Sequence, residues 1–432
     1  MKEMKKIAAD TLSLLGQNGA EKASVSVVQR QTREFNVDSG KFSLFRTLYD
    51  RALGMTAYCG GKRGSVALNR FDADSIEKTV RDCIAVAGSG KADPAFDIAP
   101  YAPPQHFTLG ATECDTEALF VRTQELLQTI KEKHPKILVE QMVISHVKSD
   151  SVFANSNGVL YTRSSGAYVA DLTYSAHEGE AASSFFGSSV MLDRLDRPFY
   201  ECGAIKRELA EVERQLYPTA VQGKFIGTVL FPPSCFADML WSALSNFADD
   251  APLLDGTSIW RDKLGCPVAH TQLNVSLCPH DDRIVCGERV SDDGFLSEDF
   301  DVIRNGVLQS FLLSFYVSNK TGLPRAKNSS GALIVGGGER TVEQIIGGIE
   351  HGIIVGRFSG GEPSANGDFS GVAKNSFLIE HGKVVGAVNE TMIGGNLAKM
   401  LFSLHALSKE READGASVLP WAAFDGITIS GK

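Results

Sequence analysis

The chain has 432 residues, of which 43% are hydrophobic and 22% charged, so it is long enough to bury two sizeable cores. Its formal net charge of -9 would repel a nucleic-acid backbone, and its two basic stretches, at residues 2–6 and 131–136, are each interrupted by a glutamate, so direct binding of nucleic acid is not expected. Nowhere do about eighteen apolar residues follow one another, so no membrane span is expected and we predict a cytoplasmic protein.

The first half of the chain alternates between helical and strand patterns. Residues 4–15 have the apolar spacing of an amphipathic helix, and residues 24–29, 41–47 and 52–59 carry β-branched or aromatic side chains at every second position. The glycines of residues 59–64 favour a hairpin over a phosphate-binding loop. Asp74, with Glu77 three positions later, predicts a helix start through a capping box. A connection at residues 88–104, a helix at 115–133, strands at 137–186 and a helix at 208–216 follow.

The pattern restarts near residue 222, where a strand at 228–231 is broken by Pro232 and Pro233 and followed by a helix at 236–248. Beyond it the chain is rich in glycine and strands, and Asn305-Gly306 between two apolar runs predicts a hairpin. We therefore predict an α+β fold with two domains, at residues 1–220 and 221–432. Each would contain mixed or antiparallel sheets with flanking helices, and the C-terminal domain would be glycine-rich and β-rich.

Local motifs do not by themselves identify an active site. No two of the nine histidines lie within one helical turn, so a helical zinc-peptidase motif is absent from the sequence. The eight cysteines include no C-x-x-C pair, which favours free thiols in a reducing compartment. The pairs Asp249-Asp250 and Asp292-Asp293 could serve acid–base chemistry, but they adjoin turn residues and more readily fit solvated loops.

Two further groupings have metal-ligand chemistry. The 278–286 cluster has the side chains of a divalent-ion site but also fits a polar turn between two strands; it comprises Cys278, His280, Asp281, Asp282 and Cys286. Glu350-His351 recurs thirty residues later as Glu380-His381. We interpret the first pair as the end of a helix that begins at Thr341, the second as a hairpin turn, and the repeat as a coincidence.

An ordered series of segments resembles the TldD/PmbA family, and its PmbA branch in particular. The segments are residues 51–65, 223–231, Ser291-Asp292-Asp293-Gly294, 303–308, 314–322, 366–373, 379–382 and 390–397, which begins Glu390-Thr391-Met392-Ile393-Gly394-Gly395-Asn396. The resemblance covers most of the chain and is weakest at residues 88–200. It implies a two-domain α+β protein of a zinc metallopeptidase system that degrades or processes unfolded peptides.

The chain departs from the catalytic TldD-like pattern at two places. Catalytic members carry His-Glu-x-x-x-His on the helix after residues 223–231, and the corresponding positions here fall near Trp241, Ser242 and Asn246. A cysteine ligand near the C-terminus is also missing, because the last cysteine is Cys286. The resemblance thus implies a PmbA-like, TldE-like subunit with no catalytic residues and no metal of its own.

On this interpretation zinc belongs to a TldD-like partner subunit. This chain supplies walls of the chamber that holds unfolded peptides, and contacts to those peptides. In the absence of the partner it could form a homodimer. The residues implied for peptide or partner binding are Asp293, Gly294, Asn366, Asp368, Ser370 and Asn396. Two alternatives stay open. The chain could be a hydrolase in its own right, using the 278–286 cluster or a metal shared across a homodimer, or a non-proteolytic regulator such as a DNA gyrase modulator.

Overall fold

In the computed structural model, residues 1–389 and 391–431 are described, so Glu390 of the last family segment lies outside the described residues. The first half contains α1 (Lys2–Gln17), β1 (Lys22–Asp38), β2 (Lys41–Cys59), β3 (Lys62–Leu68), α2 (Ala73–Ser89), β4 (Gln105–Gly110), α3 (Thr116–Lys133), β5 (Ile137–Asn155), β6 (Leu160–Glu178), β7 (Ala181–Ala182), β8 (Phe186–Leu192), a 3-10 turn (Phe199–Glu201) and α4 (Ile205–Glu213). The α+β fold class is confirmed.

The second half is richer in strands and has shorter helices. It contains β9 (Thr219–Ala220), β10 (Lys224–Phe231), α5 (Pro233–Phe247), α6 (Asp250–Leu254), β11 (Val275–Leu277), β12 (Phe300–Arg304), β13 (Val307–Leu308), α7 (Phe315–Thr321), β14 (Leu333–Val335), α8 (Val342–Gly347), β15 (His351–Gly360), β16 (Asp368–Glu380), β17 (Lys383–Asn389), β18 (Thr391–Asn396), α9 (Leu397–Phe402), β19 (Leu404–Ala413) and β20 (Val418–Ser430). None of the described helices is long and apolar enough to cross a membrane.

The strands form two sheets that divide along the chain. The first has the order β3-β2-β1-β5-β6-β4, with β7 and β8 also paired to β6. The second has the order β13-β12-β11-β14-β20-β10-β15-β16-β17-β9, with β18 joining β16 and β20 and with β19 on β20. All strands of the first sheet end before residue 193 and all strands of the second begin at residue 219 or later. The division at residues 220 and 221 itself stays a prediction.

Helices cover both sheets with apolar faces. Helices α1 and α2 bury Met4, Val80 and Cys83 against β1 and β2, and α3 and α4 bury Leu126 and Leu209 in a neighbouring core of the same half. The largest core lies in the second half, where α5 packs against β20. The predicted hairpins are present: Gly60 and Gly61 join β2 to β3, and Asn305 and Gly306 join β12 to β13, all with positive φ.

Two local predictions were wrong in detail. Helix α2 is capped by Asp72, whose carboxylate accepts the Ser75 N–H at 2.9 Å, and not by Asp74, which lies inside the first turn. Both aspartates fit the cap rule, and Asp72 is the one whose backbone is extended, as a residue that precedes a helix requires. The helix capped by Thr341 ends at Gly347, so Glu350-His351 leads into β15 and does not close a helix.

A partly buried ionic network joins the two halves. Arg207 on α4 donates from Nε and Nη2 to the two carboxylate oxygens of Glu412 on β19, each at 2.9 Å, and from Nη1 to Glu211 at 2.7 Å. Glu208, whose side chain is only 6% exposed, lies 3.5 Å from Nη2 and accepts the Ser188 hydroxyl at 2.5 Å. Three carboxylates therefore share one guanidinium inside the protein.

Burial raises the pKa of Glu208 to about 7, although Arg207 and Ser188 oppose the shift. Because this pKa lies above the ordinary value of 4.5, the protonated carboxyl stabilises the folded state. That contribution is fully present below pH 4.5 and is lost as pH rises through 7. We expect Glu208→Gln to unfold at a higher temperature than the wild type at pH 8.5, with a stability gain of about 1–3 kcal/mol, and to lose that gain near pH 5. Thermal unfolding followed by circular dichroism at several pH values measures it.

The matched control is Glu77→Gln, which replaces an exposed carboxylate on α2 that lies 3.8 Å from Arg81. We expect it to change the unfolding temperature little at either pH. A Glu208→Gln variant that is less stable than the wild type at pH 8.5 would show that the ionised carboxylate is needed beside Arg207.

Candidate functional site

Helix α5 carries the three positions at which the sequence analysis places the peptidase motif of catalytic relatives. Pro233 lies in its first turn, where a missing N–H costs nothing, and its inner face buries Phe236, Leu240 and Phe247 completely. Trp241, Ser242 and Asn246 therefore fall on the outer, partly exposed face. They border a cavity of about 390 Å³ together with Asp238, Ser245, Glu362 and Pro363.

These three side chains do not fit a zinc site. The indole of Trp241 has only an N–H donor, and Ser242 donates its hydroxyl to the Asp238 carbonyl at 2.9 Å. Asn246 donates its amide to the Ser364 carbonyl, also at 2.9 Å. Zinc in peptidases takes imidazole, thiolate or carboxylate ligands, and none of the three positions provides one. The helix is formed, but these three positions on its outer face carry side chains that form hydrogen bonds and do not bind zinc.

Four of the six predicted binding residues lie together next to this helix. Strands β16 and β18 pair so that Asp368 faces Asn396 and Ser370 faces Gly394. Asn366 donates its amide to Asp368 at 3.0 Å, and Asn396 donates to the other carboxylate oxygen at 2.9 Å. The hydrogen bond from Asn396, and to a smaller extent that from Asn366, holds the pKa of Asp368 below its ordinary value.

The two asparagines have a structural role that differs from the role of the aspartate to which they donate. Asn396 also donates to the Asn366 carbonyl at 2.8 Å and accepts the Lys399 N–H, so it caps α9. Asn366 accepts from the Ser364 hydroxyl, which closes the turn before β16. Both amides are thus largely occupied within the protein. Asp368 and the exposed Ser370, two residues apart on one face of β16, are the groups best placed to meet a ligand.

Ser364 connects the two parts of this region. Its carbonyl accepts from Asn246 on α5, and its N–H donates to the Asp368 carbonyl at 2.9 Å. Gly367 of the same turn lies on the Phe247 ring, where a Cβ would come within 2.6 Å of Cζ. We call this region the α5 surface; it comprises Trp241, Ser242, Asn246, Ser364, Asn366, Asp368, Ser370 and Asn396.

The other two predicted binding residues lie elsewhere, between the two halves. Asp293 accepts the Phe315 N–H at 2.8 Å, and burial raises its pKa above the ordinary value. Gly294 has φ of 82° and packs under Phe153 of the first sheet, so close that a Cβ would lie 2.3 Å from the ring. The hydrogen bonds found among the described residues do not connect this turn to the α5 surface. The six residues therefore form two groups and not one site.

The turn that contains Asp293 borders a cavity of about 600 Å³ against the first sheet. Its floor is made of small side chains on β1, β2, β3 and β5, including Ser24, Ser26, Thr56, Ser65 and Ser151. Sequence reasoning missed these residues. A signal was present, since Ser24-Val25-Ser26-Val27 alternates small polar with buried apolar side chains, which leaves space above one face of the strand.

The side chains of the 278–286 cluster do not converge on one point, because hydrogen bonds hold them to other partners. Asp281 is paired with Arg283 at 2.7 and 2.8 Å, which lowers the pKa of Asp281 to about 2. Cys286 points to the Gly166 carbonyl in the first sheet, while burial, helped by Asp299, raises the pKa of the Cys278 thiol to about 11. Across residues 1–389 and 391–431, no three His, Cys, Asp or Glu side chains converge as a metal site would require.

The two Glu-His pairs meet in space, which their interpretation as a coincidence did not anticipate. Strands β15 and β16 bring His351 opposite Glu380, and the His381 N–H donates to the Glu350 carbonyl at 2.8 Å. The His381 imidazole also contacts the Glu350 carboxylate. Glu380-His381 closes the β16–β17 hairpin, as predicted. The repeat thus forms crossed polar contacts at the end of a strand pair.

Two sequence models of protein families match the chain. The PmbA/TldA metallopeptidase C-terminal domain matches residues 223–431, and the PmbA/TldA metallopeptidase domain 1 matches residues 23–87. Among curated proteins, the chain is 24% identical to a metalloprotease PmbA homolog of Haemophilus influenzae, over 89% of this chain and 86% of that one. It is 23% identical to the metalloprotease PmbA of Escherichia coli O157:H7, with the same shares covered.

Solved structures share the whole fold. A protein of Bacteroides thetaiotaomicron, described as a candidate modulator of DNA gyrase, superposes with a TM-score of 0.88 at 22% identity and covers all of both chains. TldE from Thermococcus kodakarensis superposes with a TM-score of 0.83 at 16% identity, over 98% of this chain and 100% of that one. At these identities the superpositions establish a common fold.

Proposed function

The chain belongs to the PmbA/TldD family of metallopeptidases, and within that family we propose that it is the non-catalytic subunit, paired with a zinc-carrying, TldD-like chain in the cytoplasm. The substrates of the pair would be unfolded peptides. This chain would contribute the wall of the peptide-binding space and contacts to the peptide.

The outer face of α5 carries the proposal. A zinc peptidase needs three protein ligands that leave one position open for water, and a carboxylate base beside that water. Trp241, Ser242 and Asn246 offer an indole, a hydroxyl and an amide, and the last two already donate to carbonyl oxygens. Because these residues do not fit zinc, hydrolysis by the pair would take place on the partner.

The α5 surface fits contacts with a peptide. Asp368 is held by two amide donors with its pKa lowered, so it stays ionised and presents an acceptor to N–H or ammonium groups. Ser370 offers a hydroxyl on the same side, and Trp241 an aromatic surface beside the 390 Å³ cavity. The backbone of an unfolded peptide needs donors and acceptors of this kind when it leaves water.

The test is a reconstitution. We expect the chain purified alone, without a metal-binding tag, to contain far less than one zinc atom per chain and to leave an unfolded peptide intact, as measured by elemental analysis and mass spectrometry. Adding a TldD-like chain from the same organism should produce cleavage that a chelator abolishes. Asp368→Asn should then raise KM for the peptide more than it lowers kcat, while Glu77→Gln, which changes an exposed carboxylate on α2 away from the α5 surface, serves as the matched control.

Two outcomes would contradict the proposal. Zinc near one atom per chain, with cleavage by the chain alone that falls in His280→Ala or Asp281→Ala, would make it a hydrolase in its own right. If the two chains bind each other but the mixture cleaves no peptide, the peptidase role would be excluded and a regulatory role favoured.

A further inference from the structure

The cavity beside the Asp293 turn lies on the face of the first sheet opposite to α1 and α2. Directly facing residues of paired strands point to the same side of a sheet. The register places Arg163 of β6 opposite Ser151 of β5, and Ser151 opposite Val28 of β1. The next row, two positions further along the strands, includes Ser26. Arg163 therefore stands at one corner of the cavity floor.

The cavity has the size and enclosure of a small-molecule site. Its volume is about 600 Å³, and residues 290–292 of the second half border it from above. Pockets that bind small organic molecules usually measure about 300–1,000 Å³. Gly294 of the same turn packs on the Phe153 ring, so the turn is held against the sheet. A molecule bound here would contact both halves of the chain.

The guanidinium of Arg163 has fewer partners than its donors require. Nη2 donates to the Cys286 carbonyl, whereas Nε is buried and has no hydrogen-bond partner among the described residues. A guanidinium has five N–H donors, and a partly buried cation without a counter-ion lowers the stability of the protein. An acceptor that entered from the cavity would therefore be bound favourably.

The neighbouring carboxylate, Glu288, does not neutralise this cation. Its Oε1 accepts the Ser297 hydroxyl at 2.5 Å and the Ser329 N–H at 3.0 Å, and its Oε2 accepts the Ser329 hydroxyl at 2.7 Å. Burial, reinforced by the charge of Arg289, lowers the pKa of the Arg163 guanidinium, while the charge of Glu288 opposes the shift. The surroundings of Arg163 are thus short of negative charge.

The second cation of the cavity, Arg63, stands too far away to hold the same group. Through the register, Arg163 is level with Ala52 of β2 and Arg63 with Tyr58. The six positions between Ala52 and Tyr58 correspond to roughly 20 Å along the strand. A small anion can therefore pair with only one guanidinium. Asp292 also borders the cavity, so its charged residues, two arginines and one aspartate, have a net charge of +1.

The rest of the lining suits a body with both polar and apolar atoms. The hydroxyls of Ser26 and Ser151 border the cavity, and none of the hydrogen bonds found among the described residues uses them. Val28, Phe153 and Val290 provide apolar contacts. This combination fits an organic molecule better than an inorganic ion.

We propose that this cavity binds an organic molecule through a single carboxylate, which pairs with the Arg163 guanidinium while the rest of the molecule lies over Ser151 and Ser26. A carboxylate is planar and singly charged, which matches both the donors of a guanidinium and the net charge of the cavity. Small organic acids and the C-terminus of a peptide both carry this group. The inference does not depend on the peptidase role, because it involves neither the α5 surface nor a partner chain.

Calorimetric titration of the full chain with two matched probes tests the need for the charge. N-acetylphenylalanine carries a carboxylate, and N-acetylphenylalanine amide is a neutral molecule of nearly the same shape. We expect the acid to bind at least about tenfold more tightly, because the amide cannot form a charge-assisted hydrogen bond with the guanidinium. Inorganic phosphate, as a third probe, should bind more weakly than the acid.

Variants of the full chain test the place of binding. Arg163→Gln should weaken binding of the acid about tenfold and leave binding of the amide unchanged, whereas Arg163→Lys should retain part of the affinity because it keeps the charge. Ser151→Phe keeps Arg163 but fills the cavity beside it, so it should abolish binding of both probes. Arg81→Gln, at an exposed position on α2, is the matched control and should bind like the wild type. Circular dichroism shows whether each variant is folded.

A tetrapeptide that ends in phenylalanine, with its C-terminus free or amidated, separates the two sources of the carboxylate. If only the free form binds, and Ser151→Phe abolishes that binding, the cavity accepts the C-terminus of a peptide. If neither form binds but N-acetylphenylalanine does, the cavity accepts small acids.

Four results would overturn the proposal. They are equal affinity for the acid and its amide, tighter binding of phosphate than of the acid, wild-type affinity for the acid in both Arg163→Gln and Ser151→Phe, and the absence of binding by both carboxylate probes.

Discussion

Replacing Arg207 with methionine is expected to lower the free energy of unfolding by about 3 kcal/mol at pH 8, because it leaves Glu208, Glu211 and Glu412 beside one another without their cation. The Arg207 side chain is about a quarter exposed, which places the expected loss at the lower end for a buried pair. Methionine keeps the length of the aliphatic stem, so most of the loss is electrostatic. A smaller part comes from the lost cation–π contact of Arg207 with the Trp421 ring, whose centroid lies 5.0 Å from the guanidinium carbon.

The loss should depend on pH. Burial raises the pKa values of Glu208 and Glu211, and without Arg207 both would rise further. As pH falls below the pKa of about 7 of Glu208, this carboxyl takes up its proton in both proteins, so the difference between variant and wild type should shrink. Chemical unfolding at pH 5 and pH 8 measures it.

The control is Arg214→Met, at the end of the same helix, where the guanidinium lies over Phe377 at 4.7 Å. We expect it to cost less than about 1 kcal/mol at either pH. Combining Arg207→Met with Glu208→Gln should recover part of the stability at pH 8. An equal loss at both pH values would mean that Arg207 acts through packing alone.

The parts of the fold that follow local rules could be predicted from the sequence. The Asn305-Gly306 hairpin needs positive φ at both residues, and only a few residue types tolerate it, so the dipeptide identifies the turn. The start of α3 was equally clear, because Asp115 precedes an apolar stripe and accepts the Ala118 N–H. In these segments the information lies within a few residues of the element that it specifies.

The arrangement of the candidate site could not be predicted in the same way. Asp293 and Asp368 both belong to family segments, but their separation depends on which sheet edges and helices carry them. The link from Asn246 to Ser364 spans 118 positions, and that from Arg207 to Glu412 spans 205. Such contacts depend on tertiary packing, which periodicity within a short window does not contain.

Replacing Phe247 with alanine is expected to cost about 3–5 kcal/mol and to release the turn that carries the α5 surface. The ring is completely buried, with its centroid 5.1 Å from that of Trp260. On its other side it supports Gly367, the residue between Asn366 and Asp368. Chemical unfolding gives the energy, and hydrogen exchange at residues 364–368 should show faster opening than in the wild type.

A double-mutant cycle with Gly367→Ala tests whether this contact is specific. In the wild type the added methyl group would lie 2.6 Å from Phe247 Cζ, at a residue whose φ of 90° already disfavours a side chain. Phe247→Leu leaves space there, so Gly367→Ala should cost clearly less in that background, with the backbone strain as the remaining part. Fully additive costs would show that the turn is held independently of the helix. A coupled result would mean that the core residue of α5 determines where Asn366 and Asp368 are presented. It would thereby link the packing of α5 to the surface proposed for peptide contacts.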